Sequence, residues 1–588
     1  MDDGAPGLTA PFRDARYAPR ALDVERRADG SIVLFNPTPF STRFRTTLDP
    51  LIHWAAAAPD RVWLAERSGE GWRTVTYGEA YQQVQALAGG LPLERGQVLL
   101  ILARNGIDHA LVAYAAMSKG GAVAPVSPQY GLFSDYTRLE HACAVLQPSA
   151  VYVDDPAAFA GALATPFLSG LPVVDVEALL KSAPRAPTCQ PSDIAKLLLT
   201  SGSTGRPKAV VCLHENVATN GAQIEACFDD PDPPVTLNAA PWSHSLGGNA
   251  ILHMILHRGG TLYIDAGQPT AERFGETVRN LREVATTYHN MVPAGWGLMA
   301  GELERDPALA RTFFSRLRLM QYGGAALAQS IIDRVQAVAV RTVGERICLG
   351  TGYGATETGP TACNIHWPNT RSGLCGLPTP GTYVKLVPAG EKYEFRVKGP
   401  QVSPGYYNAP DLSEQAFDEE GFYRLGDAAR LADEADPAKG LVFDGRLVEN
   451  FKLSSGTFVA AGALRVAAVS AIGGAVSDAV VCGEGEDGVG LMLFLNQPFC
   501  ERLGSRAAMR EAIRAGLQKL NAQAKGGGGK VASALILDGA PDAASGELTD
   551  KGYINQALAR ERRPAELARL FASEPDADVL VFKPSSRP

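Results

Sequence analysis

Short apolar runs alternate with longer stretches of helical spacing over most of the first 440 residues. The runs at 98–103, 150–153, 196–200, 209–213 and 261–264 are too short for helices and read as buried strands. Between them, 46–58, 78–90, 106–119 and 271–283 place apolar residues three and four apart, the mark of a helix with one buried face. Helical stretches between buried strands predict an α/β fold with largely parallel sheets. From 376 to 444 the segments shorten and turn residues crowd in (GLPTPG, KGPQVSPGYYN), which predicts a small β-rich subdomain. A smaller α/β unit is expected to follow, with strands at 478–481 and 491–495 and a helix at 505–520. The expected division is therefore a large N-terminal domain, 1–444, containing the β-rich part, 376–444, and a smaller C-terminal domain, 445–588. The run AKGGGGK at 524–530 reads as a flexible surface loop, with a phosphate cradle as the alternative.

A chain of 588 residues, 46% hydrophobic and 20% charged, suits several packed globular units. The net charge of −8 argues against a broad nucleic-acid surface, which needs clustered lysine and arginine. A small anion can still be held by a local set of amides and cations. Nine cysteines without a CxxC pair point to a reducing compartment. The opening MDDGAPGLTAPF has neither a basic region nor an apolar core, so no leader is expected. The apolar stretch 463–481 is broken by Arg465 and Asp478 and falls short of a membrane span. A cytoplasmic protein without membrane or nucleic-acid partners is the expectation.

Four motifs carry candidate chemistry. In Leu197-Leu-Leu-Thr200-Ser201-Gly202-Ser203-Thr204-Gly205-Arg206-Pro207-Lys208 an apolar strand runs into hydroxyls and glycines and ends on a lysine. Gly202 and Gly205 allow close approach to a polyanion, hydroxyls and amides donate, and Lys208 adds a point charge. Pro207 before the lysine excludes a Walker loop; an ordinary Ser/Gly turn also fits. Gly352-Tyr353-Gly354-Ala355-Thr356-Glu357 offers a carboxylate for Mg²⁺ and a hydroxyl for phosphate, or simply a capped helix start. In Tyr423-Arg424-Leu425-Gly426-Asp427 the aspartate could accept from two ribose hydroxyls, or end a strand. Gly546-Glu547-Leu548-Thr549-Asp550-Lys551-Gly552 presents a lysine on a turn. His253 and His257 share a helix face, but with no third ligand nearby a structural role is favoured over a metal site.

In this order the motifs resemble the adenylate-forming superfamily of acyl-CoA synthetases, nonribosomal adenylation domains and luciferases. Within it, PWSHSLGGN (241–249), GGTLYIDAGQPT (259–270), FFSRLRLM (313–320), ENFKLSSGTFV (449–459) and LTDKGYINQ (548–556) look most like feruloyl-CoA synthases. The resemblance implies an acid–CoA ligase that uses ATP, Mg²⁺ and coenzyme A to activate a hydroxycinnamic acid such as ferulate. Thr200, Ser201, Gly202, Ser203, Thr204, Gly205 and Lys208 would clasp the ATP phosphates. Gly323, Gly324 and Ala325 would line the adenine, Tyr353 would pack on its face, and Thr351 and Gly352 would also contact ATP. Thr356 would serve phosphate, Glu357 the metal, Asp427 and Arg446 the ribose, and Lys452 the nucleotide. Lys551 would reach the carboxylate and α-phosphate, while His244, Gly248, Met291, Pro293, Gln321 and Gly354 would form the acid site. Val292, Trp296 and Leu298 are further candidates for an aromatic acyl wall. The implied partners are a small carboxylic acid, ATP and CoA, with a homodimer left open.

The chain departs from the family pattern at Val448, where the usual pivot is Asp or Lys, and around 463–465, where an acidic residue is customary. Gln321 replaces an aromatic residue and Ala250 a histidine, both near the acid site. Other readings are an enzyme for another aryl or aliphatic acid, one that loads a free-standing carrier protein, and, more distantly, a non-catalytic nucleotide-binding regulator. The last conflicts with the presence of Glu357, Asp427 and Lys551 together.

Overall fold

The computed structural model describes residues 9–201, 207–270, 272–390, 392–447, 451–524, 526–542, 547 and 554–582. The strand Val98–Leu102 illustrates why continuous apolar runs form the sheets. Leu99 and Ile101 face one hydrophobic layer, and Val98, Leu100 and Leu102 face another. Both faces are covered, so no position can be polar. This strand lies in a five-stranded sheet ordered Ala150–Val153, Val98–Leu102, Ala122–Pro125, Ile194–Ser201, Pro207–Leu213, parallel except for the last pair. The helices Tyr77–Gly90 and Ile107–Ser118 pack on one face. The first of them starts where Thr76 and Glu79 form a reciprocal capping box.

A four-stranded sheet joins Val235–Asn238, Thr261–Ile264, Val62–Ser68 and Gly71–Thr76, with only the last pair antiparallel. The third sheet carries the β-rich stretch. Its eleven strands run continuously from Asp23–Arg26 and Ile32–Phe35 through Tyr383–Ala389, Lys392–Lys398, Tyr423–Leu431, Leu441–Arg446, Leu374–Pro378 and Cys363–Asn364. They end in three parallel strands, Cys348–Tyr353, Leu319–Tyr322 and Tyr288–Met291. The β-rich stretch thus recruits two strands from the N-terminal region and fuses with a parallel α/β layer. Helices Phe274–Glu283, Pro293–Arg305, Pro307–Ser315 and Gln329–Val343 share a core with that layer.

A four-stranded sheet made only of residues after 475 joins Val476–Cys482, Val489–Leu495, Val531–Ile536 and Val579–Val581. Ala461–Ile472 and Arg506–Gln523 cover one face, and Gln556–Arg562 and Pro564–Leu570 pack on the other. The molecule is α/β, with a large N-terminal unit and a small C-terminal one. The glycine run does not behave as an open loop. Gly527–Gly529 forms one tight turn, and a Cβ on Gly528 would lie 2.0 Å from the carbonyl oxygen of Phe458. Lys525 lies outside the described residues. No described helix is long and apolar enough to cross a membrane.

Candidate active site

Ile194–Ser201 and Pro207–Leu213 pair antiparallel as the arms of a hairpin, Thr200 opposite Lys208 and Ser201 opposite Pro207; Gly202, Ser203, Thr204, Gly205 and Arg206 lie outside the described residues. A second segment runs beside the hairpin: the Val211 amide donates to Gly405 O (3.0 Å) and the Tyr407 amide to Ala209 O (2.8 Å). That pairing brings Tyr406 under Lys208, whose Nζ sits 5.0 Å from the ring centroid. The Tyr406 hydroxyl donates to Glu357 Oε1 (3.1 Å) and lies 2.9 Å from the Tyr423 hydroxyl. Burial, and then the charge of Glu357, push both phenols up, so they remain neutral hydrogen-bonding groups beside the carboxylate. Glu357 is buried in the turn Thr356–Thr358, and the Thr356 hydroxyl lies 2.9 Å from that of Ser245. Lys208, Glu357 and Thr356, separated by about 150 residues in the chain, form one cluster with Tyr406, Tyr423 and Ser245.

The three parallel strands end side by side at Met291, Tyr322 and Tyr353, the carboxyl edge where open α/β sheets hold ligands. Gly323, Gly324 and Ala325 follow the middle strand; Gly324 has φ +85°, a conformation suited to glycine. The Thr351 hydroxyl donates to Tyr322 O (2.8 Å) and ties two strand ends together. At Gly354 a Cβ would fall 2.2 Å from Pro360 O, so only glycine fits. The Tyr353 ring packs against Phe395 and Phe443, with centroids 5.1 and 5.9 Å away. Its hydroxyl donates to Asp427 Oδ2 (2.6 Å). Arg446, the sheet partner of Asp427, brings Nε to 3.4 Å from Oδ1. Lys452 is exposed on the small hairpin of Phe451–Lys452 and Phe458–Val459. Lys551 and Val448 lie outside the described residues.

A cavity of about 1210 Å³ opens beside this edge. Gly323, Gly324, Gly352, Gly354 and Thr356 line it, as do His244, Leu246, Gly247, Ala250, Met291, Val292 and Gln321. The volume exceeds the roughly 300–1,000 Å³ of an ordinary ligand pocket, so it can hold more than one small molecule. Gly248 and Pro293, expected on the acid wall, are not on it. Pro293 opens a helix and leaves the wall to Val292 and Gly295. Trp296 faces the core, and its Nε1 donates to Gln321 O (3.0 Å).

Gly248 sits in a π-helical segment, Leu246–His253, and turns toward Lys196 on the strand that feeds the hydroxyl-rich turn. Lys196 Nζ donates to Gly248 O (2.7 Å) and Asn249 Oδ1 (2.9 Å). Among the described residues no carboxylate pairs with this buried lysine, and burial pushes its ammonium down to about 8. Lys196 therefore pins the cavity wall to the strand carrying Thr200. Neither it nor Tyr406 stood out in the sequence, because their partners lie about 50 residues away.

His257 Nε2 lies 3.3 Å from Glu225 Oε2 and His253 Nδ1 3.4 Å from the Tyr114 hydroxyl, and both rings are buried. No group of three His, Cys, Asp or Glu able to hold a metal occurs among the described residues. The single buried carboxylate of Glu357 fits Mg²⁺ that arrives on phosphate oxygens and keeps most of its waters.

The family model for AMP-binding enzymes matches residues 51–407. The chain belongs to that family. It is 28% identical over 451 residues to a carboxylic acid reductase of Mycobacterium marinum, a match covering 66% of this chain and 37% of the reductase. The chain thus spans only about a third of that relative's length. It is 26% identical over 374 residues to the feruloyl-CoA synthase of an Amycolatopsis species, covering 61% of this chain and 72% of the synthase. Among solved structures, the A domain of the carboxylic acid reductase from Segniliparus rugosus, in complex with AMP and a co-purified carboxylic acid, superposes with a TM-score of 0.73. It is 19% identical, and the match covers 90% of this chain and 94% of that domain. With that domain the chain is a member of the adenylate-forming superfamily.

Proposed function

We propose that the enzyme activates an aromatic acid of the hydroxycinnamate type as its acyl-adenylate and transfers the acyl group to coenzyme A. The observation that carries this reading is the juxtaposition of Lys208 and Glu357 about Tyr406, beside Thr356 on the lining of a cavity with an apolar and an amide-lined wall. Attack of a carboxylate on the α-phosphorus brings two anions together, so cations and donors must offset their repulsion and the charge developing on pyrophosphate. Lys208 and the amides and hydroxyls of 200–205 would hold the phosphates. Glu357 would take a metal site on the Mg²⁺ that accompanies ATP, and Tyr406 would fix that carboxylate. Gly323–Ala325 and Tyr353 would border the adenine, Asp427 and Arg446 the ribose, and His244, Met291, Gln321 and Gly354 the acid.

Lys551 would neutralise the α-phosphate during adenylation and withdraw for thioester formation. That exchange would come from rotation of the unit beyond 445. The feruloyl-CoA synthase match supports the acid class and CoA as acceptor, and the reductase match favours a second reading in which the adenylate goes to a carrier or reductive module instead. A panel of acids with ATP, Mg²⁺ and CoA, followed by AMP release and thioester absorbance, separates them. Ferulate or coumarate should yield thioester in step with AMP; adenylate formation without thioester would favour the second reading.

A further inference from the structure

The acid cavity does not end at the ring-sized space beside Gln321. Its lining includes Asn238, Met291 and Tyr322 at the carboxyl ends of three parallel strands, and also Pro234, Thr287 and Arg318 at their opposite ends. From Tyr322 back to Arg318 is four residue steps, about 13 Å at roughly 3.3 Å per step. The cavity therefore runs the length of the strands.

Its middle is polar. The Tyr288 hydroxyl donates to Gln321 Oε1 (2.9 Å) and Gln321 Nε2 donates to Asn364 Oδ1 (3.1 Å). Asn364, 1% exposed, has the Cys227 thiol, a weak acceptor, as partner for its side-chain amide. A wall of amides and a phenol, one donor of which is met only by a thiol, favours oxygen over hydrocarbon in a ligand.

The far end is cationic as well as acidic. Arg318 bonds Asp230 Oδ2 and Asp232 Oδ2, each at 3.0 Å, and Arg16 lies 3.3 Å from both aspartates. Arg258 Nη2 donates to Asp230 O (2.5 Å) and Asp232 O (3.2 Å) and approaches Asp230 Oδ2 at 3.7 Å. Among the described residues these Arg258 bonds all leave from Nη2, which leaves Nε and Nη1 as donors for a ligand oxygen.

We propose that this site takes an oxygenated aryl acid longer than a simple hydroxycinnamate. Its ring oxygen would meet Asn364 and Gln321, and a second oxygen-bearing group beyond the ring would be directed at Arg258. The proposal rests on the adenylation reading and narrows its substrate class. An alkyl tail would offer these groups no oxygen, and a single ring would leave the Arg258 end unfilled.

The test measures kcat/KM by acid-dependent ATP–pyrophosphate exchange for cinnamate, 4-hydroxycinnamate, ferulate, and ferulate extended through its ring oxygen by a hydroxyethyl or hydroxyphenyl ether. The extended acids should exceed cinnamate by tenfold or more. Gln321→Met should shrink the preference of 4-hydroxycinnamate over cinnamate, and Arg258→Met that of the extended acids over ferulate, each several-fold, with the KM for ATP unmoved. If cinnamate or a straight-chain acid matched the extended acids in the wild-type enzyme, the proposal would be overturned, whatever the variants do. Unchanged ratios in both folded variants would also overturn it. Absence of exchange with every acid would remove the adenylation reading itself, and this proposal with it.

Discussion

Replacing Tyr406 with phenylalanine isolates one hydroxyl in the candidate phosphate and metal cluster. The ring would stay beneath Lys208, preserving the 5.0 Å cation–ring contact. Lost would be the 3.1 Å hydrogen bond to Glu357 and the 2.9 Å link to Tyr423. A hydrogen bond to a carboxylate contributes about 1.5–3 kcal/mol when fully buried. Tyr406 is only half-buried, so solvent screening reduces this to about 1–2 kcal/mol, or roughly 5- to 30-fold in rate or affinity. The loss should appear in the Mg²⁺ and ATP dependence of adenylation, because Glu357 would no longer be fixed. The ranking of acids should not move, since Tyr406 is not on the cavity wall. Pyrophosphate exchange at varied Mg²⁺·ATP and at varied acid separates these outcomes. Tyr406→Ala, which also removes the ring under Lys208, should cost more. An unchanged ATP dependence in Tyr406→Phe, or an altered acid ranking, would refute the role given to the hydroxyl.

Asp427→Ala should weaken ATP use by roughly ten- to a hundred-fold without shifting acid preference, judged by KM for ATP across two acids. Lys551→Ala should abolish adenylation but spare thioester formation from a pre-made acyl-adenylate; equal losses in single-turnover assays would remove the lysine from the first step. Stability should fall in acid through Asp418. Burial alone would raise this carboxyl, but Lys385 at 2.5 Å, the Phe422 amide and Arg396 at 2.9 Å outweigh it and hold it at about 2. Its contribution, about 2–3 kcal/mol, is present above its unfolded value of about 3.9 and is lost as pH falls toward 2. Asp418→Asn should therefore lower the melting temperature at neutral pH and flatten the acid limb; parallel melting curves from pH 5 to 2 would contradict this.

Much of the α/β layer was legible because strands buried on both faces must be continuously apolar, as 98–102 and 150–153 are. The two strands flanking the hydroxyl-rich stretch were legible for the same reason, but not their antiparallel pairing. Other features depend on pairings that local sequence does not encode. Ile32–Phe35 finds its sheet partner at Tyr383–Ala389, about 350 residues on, and Asp23–Arg26 joins the sheet only through it, so both escaped local pattern reading. The π-helical geometry of Leu246–His253 turned Gly248 to Lys196 rather than to the cavity. Lys196 in an otherwise apolar strand carried a signal, a charge where none is expected, but its acceptors became visible only in three dimensions. Gln321 likewise read as a departure from pattern, and the fold supplies the reason for an amide there: Tyr288 and Asn364 flank it in a polar mid-section.

The most direct test of the central claim is pyrophosphate exchange into ATP with the purified chain, Mg²⁺ and a single acid, without CoA. The account predicts exchange that requires both acid and Mg²⁺, is at least tenfold faster with ferulate or coumarate than with medium-chain fatty acids, and disappears in Lys551→Ala. Exchange that is absent with every acid, or that proceeds without any acid, would contradict it.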